Sequence, residues 1–277
     1  MRLAEAIRAD RVADGQISIW WLGQAGFALK TAANKLLLID PYLSDYCRQE
    51  WGAVRKLPPP LEPDELQPDL VVASHWHPDH LDPPTFRAFA RTPSTRVGGP
   101  PSCVMRLRVW GVPEDQLALV EHGGEPVSIG DMRVRAAPAR HDVPGILTED
   151  AVGFVCDLGG VRVYHSGDTE YDHTMRALAR DEIDVMLVCV NGTAGNMNAH
   201  EAALLAWQLS PRVVVPMHFG LWIDEGYTNL GGQATLDPNI FVDTYRKLGG
   251  QAEIVVPQVG MPIVVSEAGS VLAGAGV

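Results

Sequence analysis

The chain has 277 residues, of which 46% are apolar and 20% are charged, and its formal net charge at pH 7 is −12. Such a composition is ordinary for a globular protein that buries a sizeable core. The acidic balance argues against a broad surface for the phosphates of long nucleic acids, so we expect no nucleic-acid partner. We expect a small-molecule substrate, and the net charge does not exclude an anionic one.

The cysteines and the terminal segments bear on the cellular compartment. The four cysteines lie far apart without a CxxC pair, so they predict no disulfide framework, and a cytoplasmic location is expected. The N-terminus lacks an apolar signal-peptide region, and no apolar run is long enough to span a bilayer, so no membrane partner is expected. We expect one domain over residues 1–277, and a homo-oligomer stays open.

The predicted elements begin with a short charged helix over residues 3–13, followed by strands over 17–22, 27–30 and 35–40. Residues 41–68 contain three consecutive prolines and little periodicity, which predicts a long loop. The later elements are a strand over 70–73, a helix over 83–91, a strand over 95–99, a helix over 101–110, strands over 117–120, 126–129 and 132–136, a hairpin of 152–158 with 161–165, a helix over 170–180, a strand over 184–190, a helix over 199–209, a strand over 212–216, a helix over 238–248, and strands over 252–256 and 261–266. This order predicts an α/β sandwich of two sheets face to face with helices outside.

The segment Ser74–Asp82 carries three histidines and two aspartates directly after the apolar strand at 70–73. His75, His77 and Asp79 are spaced at i, i+2 and i+4, so on an extended backbone their side chains point the same way. His80 breaks this alternation and can face a neighbouring position. Imidazoles and a carboxylate that converge in this manner suit zinc, manganese or iron. A loop that is rich in histidine by chance is the simpler alternative, and so dense a cluster argues against it.

Three later residues also follow predicted strands, namely His141, Asp168 and His218. A single histidine after a strand is more often an ordinary loop or core residue. Together, however, the three would supply the ligands that a two-metal site still lacks, all from strand-end loops. Asp40 ends the third strand in the same way, and we expect it to support such a site from behind the ligands.

The pattern His-x-His-x-Asp-His, followed by His141, Asp168 and His218, resembles the metallo-β-lactamase superfamily of hydrolases. The resemblance implies a four-layer αββα sandwich and a binuclear metal site with two divalent ions, zinc or manganese, with iron as a further option. It implies the following ligands: His75, His77 and His141 for the first metal, Asp79, His80 and His218 for the second, and Asp168 as the bridge.

A narrower resemblance is carried by residues 20–27, 99–104, 110–113, 164–168 and 214–218, which look like the L-ascorbate-6-phosphate lactonase family. That resemblance implies a cytoplasmic enzyme that opens a sugar-acid lactone, with manganese as its metal. The chain departs from the family at 140–142, where the family has a carboxylate-bearing segment. Residues 216–220 are closer to uncharacterised metal-dependent hydrolases of the same broad group, so the substrate stays open.

Two cations that share Asp168 would lower the pKa of a bound water from its value in bulk solution to about 7. The resulting hydroxide is expected to attack a carbonyl carbon or a phosphorus, with Asp79 and Asp168 as catalytic residues and Asp79 orienting the nucleophile. We therefore expect a hydrolase of a small lactone or related ester. The substrate could be phosphorylated. The alternatives are a phosphodiesterase similar to RNase Z nucleases, and a non-catalytic metal-binding or redox module.

Candidate substrate-binding residues are weaker predictions. Arg140 adjoins a predicted ligand and would meet an anionic group, with a surface arginine as an equal alternative. Asn191 follows the strand at 184–190, while Trp21 and Tyr42 would line the pocket or pack in the core. Further residues are assigned as follows: His165 to a buried or supporting position, Asn198 with Glu201 to a helix capping box, Arg48, Arg55 and Lys56 to the long loop, and His122, His173 and His200 to the surface or to helix caps.

Overall fold

The computed structural model describes residues 2–142, 148–222 and 237–267, together with the backbone of residues 271–273. In chain order, its strands are β1 (Gln16–Gly23), β2 (Gly26–Thr31), β3 (Leu36–Ile39), β4 (Leu70–Val72), β5 (Arg96–Gly99), β6 (Leu117–Leu119), β7 (Val127–Ile129), β8 (Met132–Pro138), β9 (Val152–Leu158), β10 (Val161–His165), β11 (Val185–Cys189), β12 (Val213–Met217), β13 (Glu253–Ile254), β14 (Pro262–Ser266) and β15 (Val271–Ala273). Its α-helices are α1 (Leu3–Ala9), α2 (Tyr46–Trp51), α3 (Pro83–Phe89), α4 (Pro101–Val109), α5 (Ala199–Leu209) and α6 (Asn239–Lys247), and short 3₁₀ helices cover Pro63–Glu65, Glu114–Gln116 and His173–Asp181.

These strands form two mixed sheets of similar design. The first has the order β15-β14-β1-β2-β3-β4-β5-β6, and the second has the order β13-β12-β11-β10-β9-β8-β7. In the first sheet the pairs from β15 to β3 are antiparallel and those from β3 to β6 are parallel. In the second the pairs from β7 to β10 are antiparallel and those from β10 to β13 are parallel. Each sheet therefore has a parallel half whose strand ends can carry a site.

The two sheets pack face to face with helices on both outer surfaces. One buried core contains Phe27 of the first sheet and Phe154 of the second, and Phe241 of α6 belongs to the same core. A separate core lies on the outer face of the first sheet, where Ile7 of α1 and Phe86 of α3 pack. Each of these fully buried side chains contributes roughly 1.5–3 kcal/mol relative to an exposed one. The predicted four-layer αββα sandwich is confirmed.

The long loop predicted at 41–68 is the main part of the chain whose local structure differs from the prediction. It contains helix α2 and the 3₁₀ turn Pro63–Glu65. The helix begins after Asp45 and ends at Gly52, whose left-handed backbone has φ 73°. Glycine adopts this conformation without a Cβ penalty, so the chain turns back sharply there.

Two predicted helices also differ from the structure. The first ends at Ala9 rather than at residue 13, because the Lys30 ammonium group donates hydrogen bonds to the carbonyl oxygens of Ile7 and Asp10, at 2.8 and 2.9 Å. These bonds satisfy carbonyls that a continuing helix would use. The helix predicted at 170–180 is the 3₁₀ helix His173–Asp181, which ends where Glu182 takes φ 50°.

Several other expectations are confirmed in detail. The hairpin of β9 and β10 turns at Gly159-Gly160 as predicted. The Asn198 Oδ1 accepts hydrogen bonds from the backbone of His200 and Glu201, which is the predicted capping box of α5. Strand β15 is an element that the sequence patterns did not predict. In the described ranges, no helix has the length and apolar character needed to cross a membrane.

Candidate metal centre

The predicted ligands meet at one edge of the sandwich, at the carboxyl ends of strands from both sheets. In the first sheet His75 lies shortly after β4. In the second sheet His141, Asp168 and His218 lie after β8, β10 and β12 respectively. Parallel neighbouring strands end at the same edge, so residues that are far apart in sequence are brought together there.

Seven side chains converge into what we call the ligand cluster. Their nitrogen and oxygen atoms form three groups, and within each group the atoms lie within 4.8 Å of one another. All seven residues are buried, and all were predicted as ligands from the sequence. The three groups are His75 with His77 and His141, His75 with His80 and Asp168, and Asp79 with His80 and His218.

Unpaired atoms inside the ligand cluster fit a bound cation. The Nε2 atoms of His75 and His80 and the Oδ1 atom of Asp168 are buried and make no hydrogen bond. Each such atom would cost roughly 1–3 kcal/mol without a partner. A divalent cation would satisfy these lone pairs together, so the donor set fits a metal.

The other ring nitrogens fix the orientation of the histidines. His80 Nδ1 donates to Asp40 Oδ2 at 2.8 Å. His141 Nδ1 donates to the carbonyl oxygen of Gly195 at 3.1 Å. The Ser74 hydroxyl donates to Asp40 Oδ2, so its oxygen accepts from His75 Nδ1 at 3.1 Å. With Nδ1 as the donor in each ring, the Nε2 atom faces the cluster, as in metal-binding histidines generally.

Interatomic distances in the cluster are those of neighbouring metal ligands. His77 Nδ1 and His141 Nε2 are 3.2 Å apart. Two nitrogens of a tetrahedral zinc site with 2.0–2.1 Å bonds are separated by about 3.3 Å. Asp168 faces both halves of the cluster, because its Oδ2 is 3.9 Å from His141 Nε2 and its Oδ1 is 3.1 Å from His218 Nε2.

Burial and charge prepare these groups for a cation. Burial lowers the pKa of His75 well below its usual value and that of His77 to about 4, so both rings are neutral at pH 7. Burial also opposes a charged His80, but the carboxylates of Asp168, Asp79 and Asp40 outweigh it and raise the pKa of that ring. Burial would raise the pKa of Asp168, whereas His218 and His80 hold it well below its usual range. The cluster therefore attracts positive charge.

Gln24 is a site residue that the sequence analysis missed. Its side-chain amide nitrogen lies 2.6 Å from Asp79 Oδ2 and 2.9 Å from His218 Nε2. The backbone of His218 also donates to the Gln24 carbonyl oxygen at 3.0 Å. Gln24 thus connects the turn between β1 and β2 to two of the predicted ligands. The available signal was a glutamine in the Gly-Gln-Ala-Gly sequence at 23–26, between two predicted strands.

Two further contacts were also missed. Asn196 Nδ2 donates to Asp168 Oδ2 at 2.9 Å, which fixes the carboxylate. The indole of Trp51, at the end of α2, meets the His77 ring edge to face, with 6.0 Å between the ring centroids. Trp51 is 39% exposed, so it stands beside the cluster with one face open to solvent. Helix α2 therefore brings the predicted long loop to the mouth of the site.

The predicted substrate-binding residues occupy different environments. Trp21 is half-buried, and its indole nitrogen donates to the carbonyl oxygen of Gln24 at 3.0 Å, next to the cluster. Tyr42 is buried, and its hydroxyl accepts from the backbone of Cys47 while its ring lies under the Arg55 guanidinium. The structure thus places Trp21 close to the cluster and Tyr42 in a core.

The two polar candidates differ in the same way. Asn191 is buried, and its amide donates to Thr193 Oγ1 at 3.0 Å, with its own Oδ1 unpaired. The Arg140 side chain is exposed and forms an ion pair with Asp142 at 2.9 Å. Its described contacts are with acidic side chains at the surface rather than with the cluster. His165 is fully buried and accepts a hydrogen bond from Gly167, the supporting position that was expected.

The backbone around the cluster is strained at three residues. Gln24, Asp40 and His218 have φ values of 56°, 47° and 63°, in the left-handed region that favours glycine. Each costs roughly 1 kcal/mol or more and persists because the surrounding contacts hold it. Gly167, at φ 59°, packs so closely that an added Cβ would lie 2.8 Å from the Val152 carbonyl oxygen.

Comparison with known proteins gives this arrangement a family. A family profile described as a beta-lactamase superfamily domain matches residues 18–218, which span the predicted ligands. The chain belongs to the metallo-β-lactamase superfamily. Within the superfamily it is 30% identical, over 91% of its own length and 88% of the relative, to a UPF0173 metal-dependent hydrolase of Anaeromyxobacter dehalogenans. It is a metal-dependent hydrolase.

More distantly similar proteins resemble the chain as well. A probable L-ascorbate-6-phosphate lactonase of Salmonella choleraesuis is 28% identical over 79% of this chain and 74% of that protein. The metallo hydrolase Igni18 of Ignicoccus hospitalis superposes with a TM-score of 0.71 at 23% identity, covering 91% of this chain and 99% of that one. An isothiocyanate hydrolase from Delia radicum gut bacteria gives 0.69 at 19% identity, covering 90% and 99%. These two structures support the fold alone.

Proposed function

We propose that the chain is a hydrolase that opens a small lactone or a related ester with the help of two divalent cations, zinc or manganese. The observation that carries the proposal is the position of Asp168 between the two halves of the ligand cluster. Its Oδ2 lies 3.9 Å from His141 Nε2 and 3.4 Å from His80 Nε2, and its Oδ1 lies 3.1 Å from His218 Nε2. One carboxylate that faces both halves is what a bridging ligand requires.

The proposed ligands follow from these contacts and from the superfamily resemblance. His75, His77 and His141 would hold one cation, Asp79, His80 and His218 the other, and Asp168 both. Bound there, the two cations would activate a water molecule and stabilise the negative charge that develops on the substrate oxygen. The side chains of the ligand cluster would position the cations, and through them the attacking water and the substrate.

Asp79 is the residue that we assign to orienting the attacking water and accepting its proton. Gln24 holds one carboxylate oxygen of Asp79 at 2.6 Å, which fixes its direction. His77, Asp79, Asp168 and His218 retain slight exposure, whereas His75 and His80 have none. Substrate would therefore approach across the face of the cluster that these four side chains form.

The choice of an ester or lactone rests on similarity to the lactonase relative, together with the carbonyl chemistry that the cluster suits. We also propose the cytoplasm as the compartment. All four cysteines are buried free thiols, a state that fits a reducing environment.

Turnover by the metal-loaded protein tests the proposal. The assay compares a panel of lactones with bis-p-nitrophenyl phosphate, and metal analysis of the same sample is expected to give two ions per chain. Ring opening should disappear in His75→Ala and Asp168→Ala and persist in His173→Ala, a control on an exposed histidine outside the ligand cluster. Fast diester cleavage with no ring opening would replace the lactonase assignment by a phosphodiesterase.

A further inference from the structure

A cavity of about 610 Å³ borders the ligand cluster. Its walls are mainly apolar and include the half-buried indole of Trp21, the ring of Phe219 and the side chain of Leu221. The rings of Trp21 and Phe219 are stacked, with 5.2 Å between their centroids. Pro58, Pro59 and Pro60, which follow α2 in the chain, close another side. The volume and the lining are those of a site for a small organic molecule.

The charged side chains at this cavity contribute little polarity to its interior. Arg55 is buried, and its guanidinium donates to the carbonyl oxygens of Leu57 and Tyr42, at 3.1 and 2.8 Å. Those hydrogen bonds hold the loop that contains Arg55, so the guanidinium is not directed at a ligand in the cavity. Lys56 is exposed, so its ammonium group lies toward solvent. A strongly polar ligand would find few partners on the described walls, and polar groups buried without partners are costly.

The cavity adjoins the ligand cluster at two residues. Gln24 lines the cavity, while its amide nitrogen contacts Asp79 and His218 in the cluster. Phe219, another lining residue, directly follows His218. A molecule that filled the cavity would therefore have one end beside Gln24, the residue that contacts Asp79 and His218.

We propose that this cavity binds an apolar ring or alkyl chain of the substrate, so the preferred substrate is a lactone or ester with an apolar substituent rather than a phosphorylated sugar acid. The inference rests on the proposed function for the reaction that the substrate undergoes. The cavity is a feature of the structure whether or not that function holds. Removing one methylene group from water favours binding by about 0.8 kcal/mol, which corresponds to a fourfold change in affinity. The cavity has room for several such groups.

A series of γ-lactones with unsubstituted, propyl, pentyl and heptyl side chains tests this inference with the metal-loaded protein. We expect kcat/KM to rise by up to about fourfold per added methylene until the cavity is full. The variant Leu57→Asp places a charge at the cavity mouth and should flatten this rise. Leu57 is 68% exposed, so the substitution leaves the fold intact, and Val109→Asp, at an 80% exposed position on α4, is the matched control.

Binding of the neutral fluorescent probe N-phenyl-1-naphthylamine gives a readout without turnover. We expect wild type and Val109→Asp to bind it equally, and Leu57→Asp to bind it at least tenfold more weakly. Probe binding with this pattern and no ring opening would support the cavity and refute the proposed function. Ring opening at equal rates along the series, or faster opening of a phosphorylated lactone, would leave the function standing and overturn the apolar site.

Discussion

Replacing Asp40 by asparagine tests how much the carboxylate that orients His80 contributes to metal affinity. Asp40 is fully buried and accepts hydrogen bonds from the backbone and hydroxyl of Ser74, at 2.6 and 2.7 Å, and from His80 Nδ1 at 2.8 Å. Burial would raise the pKa of its carboxyl, but His80 keeps it below the usual value, so the group is charged. Asparagine has nearly the same shape and tolerates the φ of 47° at this position. The substitution therefore removes charge with little change in packing.

The expected loss of metal affinity follows from the hydrogen bonds that Asp40 makes. The amide oxygen of asparagine can still accept from His80, but the neutral group polarises the ring less and one oxygen becomes a donor. Loss of such a partner behind a metal ligand typically weakens metal affinity 10- to 100-fold, or about 1.4–2.8 kcal/mol. The loss should fall on the cation held by His80 and leave the group of His75, His77 and His141 less affected.

Competition with a chromophoric chelator measures both affinities in wild type and variant. The matched control is Asp69→Asn, which removes a carboxylate that accepts from Lys35 and Leu36 at the opposite end of β4. Urea unfolding of the metal-free proteins separates a folding effect from a metal effect. Unchanged affinity for both cations in Asp40→Asn, with intact stability, would show that Asp40 does not orient His80 for metal binding.

Three further substitutions test other contacts. Gln24→Asn keeps an amide and tolerates left-handed backbone but is too short to reach His218, so calorimetry should show about tenfold weaker binding of one cation only. Gly167→Ala adds a Cβ at φ 59° and 2.8 Å from the Val152 carbonyl oxygen, and should lower the urea-derived free energy of unfolding by roughly 2–4 kcal/mol; a loss below 0.5 kcal/mol would contradict the packing. Lys30→Met removes the donor to the end of α1 and should cost roughly 1–3 kcal/mol, measured in the same way, with earlier proteolysis of α1.

The convergence of the predicted ligands could be anticipated because their signals are local. His75, His77 and Asp79 alternate after a strand whose apolar run is visible in the sequence, and His141 and His218 also follow strands. Strand identity depends on short-range apolar patterns, and these also predicted the sheets and the sandwich. The superfamily resemblance then grouped them with His80 and Asp168 into one set of predicted ligands.

The supporting residues could not be predicted in the same way. Gln24 acts through a contact with His218, 194 positions away in sequence, and only the pairing of the strands brings the two together. Trp51 reaches His77 because α2 forms inside a segment with no clear period. The helix at His173–Asp181 has the same apolar spacing as an α-helix over this length, so the sequence pattern could not distinguish the 3₁₀ form.

The left-handed backbone at Gln24, Asp40 and His218 sets stability against activity in the evolution of this chain. Glycine at any of the three positions would relax the backbone by roughly 1 kcal/mol, yet it would delete an amide, a carboxylate or an imidazole of the centre. At Asp40 the lost hydrogen bonds to Ser74 and His80 outweigh that gain, so a library selected for heat resistance alone should accumulate glycine at the Gln24 and His218 codons and lose activity as it does so. A library selected for turnover should keep the strained residues and gain its stability elsewhere in the sandwich.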